Sequence, residues 1–167
     1  LETVPYFVEQ VEAYENGDDY DKSKVGLIQT PQSFYNADIF QFNLFSESTL
    51  PNEQDFFSKE INVCNNSHGA AVYTGSNTLI FRKAIEVGGF PTDTITEDFE
   101  LGVRMNAAGY VNYSTKSPMA SGLTPTDLKS VLKQRARWGR GVIRSSYNMN
   151  IFFNPKLTKG QRIVYIN

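Results

Sequence analysis

The segment TITEDFELGVRMNAAGY contains three carboxylates, Glu97, Asp98 and Glu100, within four positions. An unperturbed aspartate is ionised at neutral pH, and an ionised carboxylate can act as a general base toward a nearby hydroxyl. The same residues are also typical of the first turn of a helix, where free N–H groups and the helix dipole favour negative charge. If Thr94 rather than Thr96 is the cap, Glu97 completes a capping box. The segment alone favours a helix start, yet one carboxylate can cap while the next does chemistry.

A second cluster, KQRARWGRG at residues 133–141, combines several cations with the one tryptophan of the chain. Arg137 can bind a diphosphate bidentately, and Trp138 offers a flat face to a sugar ring or a base. Two arginines that are two residues apart on a helix point to different faces, so Arg135 and Arg137 are not expected to share a role. The alternative is a solvated basic helix with a tryptophan in the core.

Both clusters need rigid elements to position them, and the apolar spacing predicts such elements. The predicted helices cover residues 2–15, 53–64 and 97–108, and the predicted strands cover residues 25–31 and 110–115, with a further strand within 70–84. Helices that alternate with short apolar strands indicate an α/β domain with a mixed sheet, whose functional loops lie at the strand ends.

Residues 122–148 are predicted to form one long amphipathic helix. We expect Thr124 to be its N-cap, with Pro125 at the first helical position and Asp127 at the third. This helix would carry the basic cluster.

The length, cysteine count and charge of the chain exclude several kinds of site and partner. The length of 167 residues suits one domain, and the single cysteine, Cys64, excludes an internal disulfide and a thiolate metal site. Residues 1–60 hold 12 Asp/Glu and 3 Lys/Arg, whereas residues 61–167 hold 6 and 13, which suggests an anionic partner for the second half or two solvated faces of opposite sign. Because the whole chain is acidic and contains no nucleic-acid module pattern, no nucleic-acid partner is expected.

The motifs TED at 96–98 and QRARW at 134–138 resemble the TED and Q-x-x-R-W pair of processive family-2 glycosyltransferases. The closest resemblance is to bacterial cellulose synthase catalytic subunits. The segments VGLIQTPQSFYN, LPNEQDFF, YTGSNTLIFRKA followed by GGF, and SGLTPTDLKSVLKQRARW match that family's order and spacing over nearly the whole chain. Each motif is weak alone, whereas the ordered set is specific. The resemblance implies a partial GT-A fold, Rossmann-like with a mixed sheet, of which residues 1–150 would be the C-terminal half.

The resemblance also implies an activity, namely transfer of a sugar from a nucleotide-sugar to a growing β-linked polysaccharide such as cellulose, with UDP-glucose as the expected donor. Asp98 would be the base that deprotonates the acceptor hydroxyl, with Glu97 beside it in the catalytic motif. Arg137 and Gln134 would bind the donor diphosphate, and Trp138 would stack on the acceptor sugar.

The segment VYTGS at 72–76 matches one that the family usually writes F-F-C-G-S and uses as the floor of the acceptor site. The resemblance therefore assigns Tyr73, Thr74, Gly75 and Ser76 to acceptor binding. Tyr73 and Thr74 stand where Phe and Cys are usual, which leaves the acceptor sugar open.

The family's first half carries an aspartate for the nucleotide base and a D-x-D for the divalent metal, Mg²⁺ or Mn²⁺. Asp19-Tyr20-Asp21 is formally a D-x-D, but it follows a helix rather than a strand, and we interpret it as a turn. We therefore expect a fragment that starts after the true D-x-D, has no metal site of its own and is inactive alone.

Residues 151–167 mix Phe and Ile with Lys and Arg. They are predicted to form an amphipathic membrane-interface segment that leads to a transmembrane helix missing from this chain, and the alternative is a core-packing tail. The full-length enzyme would lie at the cytoplasmic face of the inner (plasma) membrane, whereas the fragment itself would be soluble. Two other functions stay open: a non-catalytic carbohydrate- or nucleotide-binding module, and a non-processive family-2 transferase with a lipid-linked acceptor, against which Q-x-x-R-W weighs.

Overall fold

The computed structural model describes residues 2–16 and 24–166. The predicted turn at Asp19 and Asp21 lies outside these residues. The helices are α1 (Thr3–Asn16), α2 (Ile39–Asn43), α3 (Glu53–Phe56), α4 (Asn62–Cys64), α5 (Arg82–Gly88), α6 (Glu97–Ala107), α7 (Leu128–Asn148) and α8 (Lys159–Ile166). A π-helical turn, Phe57–Ile61, joins α3 to α4, and a 3₁₀ turn, Asn65–His68, follows α4. The strands are β1 (Val25–Gln29), β2 (Gln32–Phe34), β3 (Thr78–Ile80), β4 (Val111–Ser114) and β5 (Ala120–Gly122).

The main sheet has the order β3-β1-β4 and is mixed, as predicted. β1 runs antiparallel to β3, with Leu27 opposite Ile80, and parallel to β4, with Ile28 opposite Tyr113. β2 and β5 form a separate parallel pair. All five residues of β1 are buried, which explains why this strand is a continuous apolar run rather than an alternating one.

The sheet is covered by helices on both faces. Leu27 and Ile28 are adjacent on β1 and are both 0% exposed, and adjacent side chains on a strand point to opposite faces. Ile28 packs with Phe7 of α1, whereas Leu27 packs with Leu101 and Met105 of α6. The start of α6, which carries the TED motif, is thus fixed against the sheet.

The segment 151–167 contributes to a further core cluster. Ile151, Leu157 and Tyr165 are buried against Phe99 and Val103 of α6, and the rings of Tyr165 and Phe99 meet edge to face at 5.6 Å. This packing is what the core-tail alternative predicts. The membrane-interface role stays a prediction.

Among the residues that the structure describes, no helix has both the length and the apolar character needed to cross a membrane.

The long helix α7 begins later than predicted. Its N-cap is Asp127, whose Oδ1 accepts the Ser130 N–H at 2.9 Å. The prediction of Thr124 as the cap, with Pro125 in the first helical position, was therefore wrong. The side-chain amide of Asn36 bonds both backbone groups of Thr124 at 2.9 Å, which holds that residue in an extended connection before the helix.

Helix α7 is 21 residues long, and several of its apolar side chains are exposed to solvent. Three of its apolar side chains, Leu128, Leu132 and Ile143, are 59–60% exposed. Its assignment as an amphipathic helix stays a prediction, as does the GT-A assignment of the whole fold.

Candidate active site

A cavity of about 470 Å³ lies where β1 ends and where the starts of α3 and α6 meet α7. This volume falls in the range of small-molecule sites. Six of the predicted site residues line it: Tyr73, Thr74, Ser76, Asp98, Gln134 and Trp138. The fold therefore brings three motifs together that are far apart along the chain.

The loop that carries Tyr73 and Thr74 is anchored to the sheet by Gln29, the last residue of β1. The Oε1 atom of Gln29 accepts hydrogen bonds from the Thr74 N–H at 2.8 Å and from the Thr74 hydroxyl at 3.1 Å. Its Nε2 donates to the Val72 carbonyl at 3.2 Å. A buried amide thus sets the position of one side of the cavity.

Gly75 lies directly against the Asp98 carboxylate. Its φ is +84°, in the region that favours glycine, and a Cβ at this position would lie 2.7 Å from Asp98 Oδ2. A larger residue would press on the carboxylate, so this loop approaches Asp98 closely only because the residue is glycine.

The start of α6 differs from the predicted capping box. The helix begins at Glu97, as predicted, and Thr96, one of the two expected caps, occupies the N-cap position without a side-chain capping bond. The alternative of Thr94 as the cap, with Glu97 at the third position of a capping box, was wrong. Instead, Asp98 Oδ1 accepts the N–H of Phe99 at 2.8 Å. Asp98 is therefore the carboxylate that binds a free N–H of the first turn.

Several groups act on the ionisation of Asp98, and together they raise its pKa. Burial has the largest effect and raises the pKa, the Phe99 N–H lowers it, the neighbouring Glu97 raises it and Arg137 lowers it. A raised pKa makes Asp98 a stronger base than an exposed aspartate. Perturbed carboxylates in cavities are typical of functional sites.

Tyr73 is affected by the same carboxylates. Burial, and then the charges of Asp98 and Glu97, raise the pKa of its hydroxyl. Tyr73 therefore keeps its proton at neutral pH and can donate a hydrogen bond inside the cavity.

Glu97 and Arg137 are exposed and lie outside the cavity lining. Arg137 is still close enough to lower the pKa of Asp98. Gln134 and Trp138, four residues apart on α7, line the cavity, whereas Arg137 does not.

α6 and α7 are held together at one close contact, which we call the α6–α7 contact: Gly141 and Ser145 on α7 against Thr94 and Thr96. A Cβ on Gly141 would lie 2.6 Å from Thr96 Oγ1 and 3.0 Å from Thr96 Cβ. One turn later, Ser145 Oγ is 3.0 Å from Thr94 Oγ1 and 3.3 Å from Thr96 Oγ1. These hydroxyls join the TED segment to the helix that carries QRARW.

Glu100 extends this connection by one more turn. It is 0% exposed and forms an ion pair with Arg104 at 2.7 Å. Its second oxygen, Oε2, accepts a hydrogen bond from Asn148 Nδ2 of α7 at 3.1 Å.

Arg135 and Glu53 are among the cavity residues that were not predicted. Arg135 Nη2 is 2.6 Å from Glu53 Oε2, and Arg135 Cζ lies 4.9 Å from the ring centroid of Trp138. The spacing of three residues between Arg135 and Trp138 could have indicated their contact on a helix. Glu53 carried no such signal, because it lies 82 residues from Arg135.

A sequence model described as "Glycosyl transferase family group 2" matches residues 6–166, which include every predicted site residue. The chain belongs to this glycosyltransferase family. It is 38% identical over 146 residues to the UDP-forming catalytic subunit of cellulose synthase 1 of Komagataeibacter xylinus. It is 33% identical over 145 residues to the corresponding catalytic subunit of Pseudomonas fluorescens and 32% identical over 146 residues to that of Xanthomonas axonopodis pv. citri.

These alignments span 86–87% of this glycosyltransferase chain but 20% of each relative. The chain therefore covers about a fifth of the length of these curated relatives. The resemblance to cellulose synthase catalytic subunits is confirmed at the level of the family.

The divalent metal that the resemblance implies has no fitting site among the described residues of this glycosyltransferase. Residues 2–16 and 24–166 contain no group of three or more His, Cys, Asp or Glu side chains placed to hold an ion. Asp98 and Glu97 are a pair at most, and Glu97 is exposed.

Proposed function

We propose that this chain is part of the catalytic domain, of the GT-A type, of a processive glycosyltransferase. It would transfer a sugar from a nucleotide-sugar to the end of a growing β-linked polysaccharide. The names of the relatives, UDP-forming catalytic subunits of cellulose synthase, support UDP-glucose as the donor and cellulose as the product. The observation that carries the proposal is the convergence of Asp98, Gln134 and Trp138 on one cavity from two distant motifs.

Asp98 is the general base in this proposal. Its Oδ1 is bonded to the Phe99 N–H, which leaves Oδ2 to take the proton of the acceptor hydroxyl. The acceptor oxygen then forms a bond to the anomeric carbon of the donor sugar while the bond from that carbon to the diphosphate breaks. One displacement of this kind inverts the anomeric carbon, so an α-linked donor yields a β-linked product.

Arg137 stabilises the leaving group in this proposal. The diphosphate departs with the electron pair of the broken bond, and a guanidinium can bind the resulting charge bidentately. The exposed position of Arg137 beside Asp98 suits a leaving group that must return to solvent.

The acceptor sugar would occupy the cavity. Trp138 offers a ring for stacking, and the side chains of Thr74 and Ser76 can exchange hydrogen bonds with sugar hydroxyls. Gln134, which is proposed to bind the donor diphosphate with Arg137, lines the same cavity. The hydroxyl of Tyr73, which replaces the usual Phe, would supply one more donor beside Asp98.

The metal and the membrane belong to the full-length protein in this proposal. Mg²⁺ or Mn²⁺ would be held outside the described residues, so the isolated chain is expected to be inactive. Residues 151–167 would lie along the cytoplasmic membrane face through the exposed side chains of Phe152, Phe153, Ile163 and Ile166.

Asp98→Asn in the full-length enzyme tests the proposal. Asparagine keeps the shape and the acceptor for the Phe99 N–H but cannot take a proton, so the rate of polymer synthesis should fall by about 10²–10⁴-fold. Binding of UDP should not change. The control is Asp127→Asn, which removes an exposed charge from the N-cap of α7 and keeps a good capping residue.

Unchanged synthesis by the Asp98→Asn enzyme would remove Asp98 as the base. A wild-type enzyme that binds oligosaccharide and never transfers sugar would instead identify a binding module.

A further inference from the structure

An ion pair lies at the edge of the acceptor cavity and joins two elements that are distant in sequence. Glu53 is the first residue of α3, and Arg135 is in the second turn of α7. Arg135 Nη2 and Glu53 Oε2 are 2.6 Å apart, and both residues line the cavity with Trp138. We call this pair the Glu53–Arg135 bridge.

The bridge fixes one face of the tryptophan. Arg135 Cζ lies 4.9 Å from the centroid of the Trp138 ring, which is a cation–π distance. A guanidinium on one face leaves the other face of the indole for a sugar ring. Arginine has five N–H donors in a fixed plane, so donors beyond the one bonded to Glu53 remain for ligand hydroxyls.

The backbone of Glu53, the acidic residue of the bridge, is held in place by two neighbouring capping residues. The backbone N–H of Glu53 donates to Asp38 Oδ2 at 3.2 Å, and the other Asp38 oxygen caps α2 by accepting the N–H of Gln41 at 2.8 Å. Asn52 caps α3 through the Gln54 N–H at 3.0 Å. The Glu53 backbone is therefore tied to both short helices.

The exposure of the bridge argues against a purely structural role. The side chains of Arg135 and Glu53 are 37% and 58% exposed, and ion pairs at such sites contribute little to stability. Because the pair lines the cavity and remains accessible, both side chains can contact a ligand there.

The charges of the bridge indicate which ligand it suits. Glu53 already neutralises Arg135 and would repel a phosphate, whereas the pair together presents donors and acceptors to a neutral ligand rich in hydroxyls. Arg137, which is exposed and close enough to lower the pKa of Asp98, suits the anionic diphosphate. The two arginines of QRARW therefore serve different ligands.

We propose that Glu53 and Arg135 form an acceptor subsite, in which Arg135 holds the Trp138 ring and bonds the hydroxyls of a β-linked oligosaccharide while Glu53 orients Arg135. This subsite rests on the proposed function, because it assumes that the cavity takes the acceptor.

The experiment is titration of the full-length protein with cellopentaose in the absence of nucleotide-sugar, so that no transfer takes place. Arg135→Gln and Glu53→Gln should each weaken cellopentaose binding by about three- to ten-fold. The double variant should be no weaker than Arg135→Gln alone, because Glu53 acts through Arg135. Arg135→Lys, which keeps the charge without the planar group, should lose part of the affinity, and UDP binding should stay constant in all variants.

The matched control is another exposed ion pair between distant segments, Glu60–Lys116. It joins its atoms at 3.0 Å, is 53% and 62% exposed at Glu60 and Lys116, and does not line the cavity. Glu60→Gln and Lys116→Gln should leave cellopentaose binding unchanged.

Three results would overturn the subsite: unchanged binding in both bridge variants, an equal loss in the Glu60–Lys116 variants, or no measurable binding of cellopentaose to the parent protein. The Asp98→Asn transfer assay tests the proposed function independently of this subsite. If binding depends on Arg135 but transfer does not depend on Asp98, the subsite stands and Asp98 is not the base. If transfer depends on Asp98 but binding does not depend on Arg135, Asp98 stands as the base and the subsite is rejected.

Discussion

Replacing Gly141 by alanine should move the TED segment away from α7, the helix that carries QRARW. The added Cβ would lie 2.6 Å from Thr96 Oγ1 and 3.0 Å from Thr96 Cβ, whereas ordinary contact begins at 3.4 Å. The Thr96 methyl carbon Cγ2 would be closer still, so the distance between α7 and Thr96 must grow by at least 0.8 Å (3.4 less 2.6). Rotation of Thr96 gives no relief, because its methyl group is also close and its hydroxyl lies within bonding distance of Ser145.

This displacement sets the expected magnitudes. A misplacement of about 1 Å can cost about 100-fold in rate, so we expect polymer synthesis to fall by about 10- to 100-fold. Overpacking costs about 1–3 kcal/mol, and the better helix propensity of alanine offsets about 1 kcal/mol of it. The net loss of unfolding free energy is therefore about 0–2 kcal/mol, from the same two terms.

Gly139→Ala is the matched control on the same helix. A Cβ there would meet nothing within 4 Å, so this variant should gain about 1 kcal/mol from helix propensity and keep its activity. The assays are incorporation of labelled sugar into polymer and the thermal unfolding midpoint of the full-length enzyme. Equal activity and equal midpoints for the Gly141→Ala and Gly139→Ala enzymes would refute the idea that the α6–α7 contact positions the site.

Three further predictions concern ionisation and packing. Glu97→Gln removes a charge that raises the pKa of Asp98, so the acid limb of the pH–rate profile should move to lower pH. Arg137→Gln removes a charge that lowers this pKa, so the acid limb should move to higher pH. Profiles identical to that of the parent enzyme would contradict both predictions. Because the folded pKa of Asp98 is raised, its ionisation opposes folding, so Asp98→Asn should raise the unfolding midpoint at neutral pH and lose this advantage below the ordinary aspartate pKa. Tyr165→Phe leaves Asn106 Oδ1 without its 2.6 Å donor and should cost about 1–3 kcal/mol in denaturant unfolding, with cellopentaose binding unchanged as the check that the loss is structural.

The elements that were predicted well are those whose signal is local. VGLIQ is a short apolar run between turn residues, and it forms the buried strand β1. The apolar spacing after TED predicted α6, and the helix ends within one residue of the prediction. The site residues Asp98 and Trp138 came from motif resemblance, and their roles stay proposals.

The helix caps were predicted less well than the helix positions, because capping side chains also have distant partners. Thr94 and Thr96 look like caps in the sequence, but their hydroxyls lie within bonding distance of Ser145 on α7. Thr124 looks like a cap as well, but Asn36 takes both of its backbone groups. A capping prediction made from neighbouring residues cannot take account of a hydrogen-bond partner that is tens of residues away in the sequence.

The sequence by itself determined the family, the alternating helices and strands, and the residue types that could act on a sugar donor and acceptor. Only the tertiary structure decided that Arg135, and not Arg137, faces the cavity, and that Glu53 meets it there. The physical reason is that the exposed and buried faces of a helix depend on what packs against it. The buried residues of α7 are Gly141 and Ser145, which lie against Thr94 and Thr96, and no periodicity in the sequence contains these contacts.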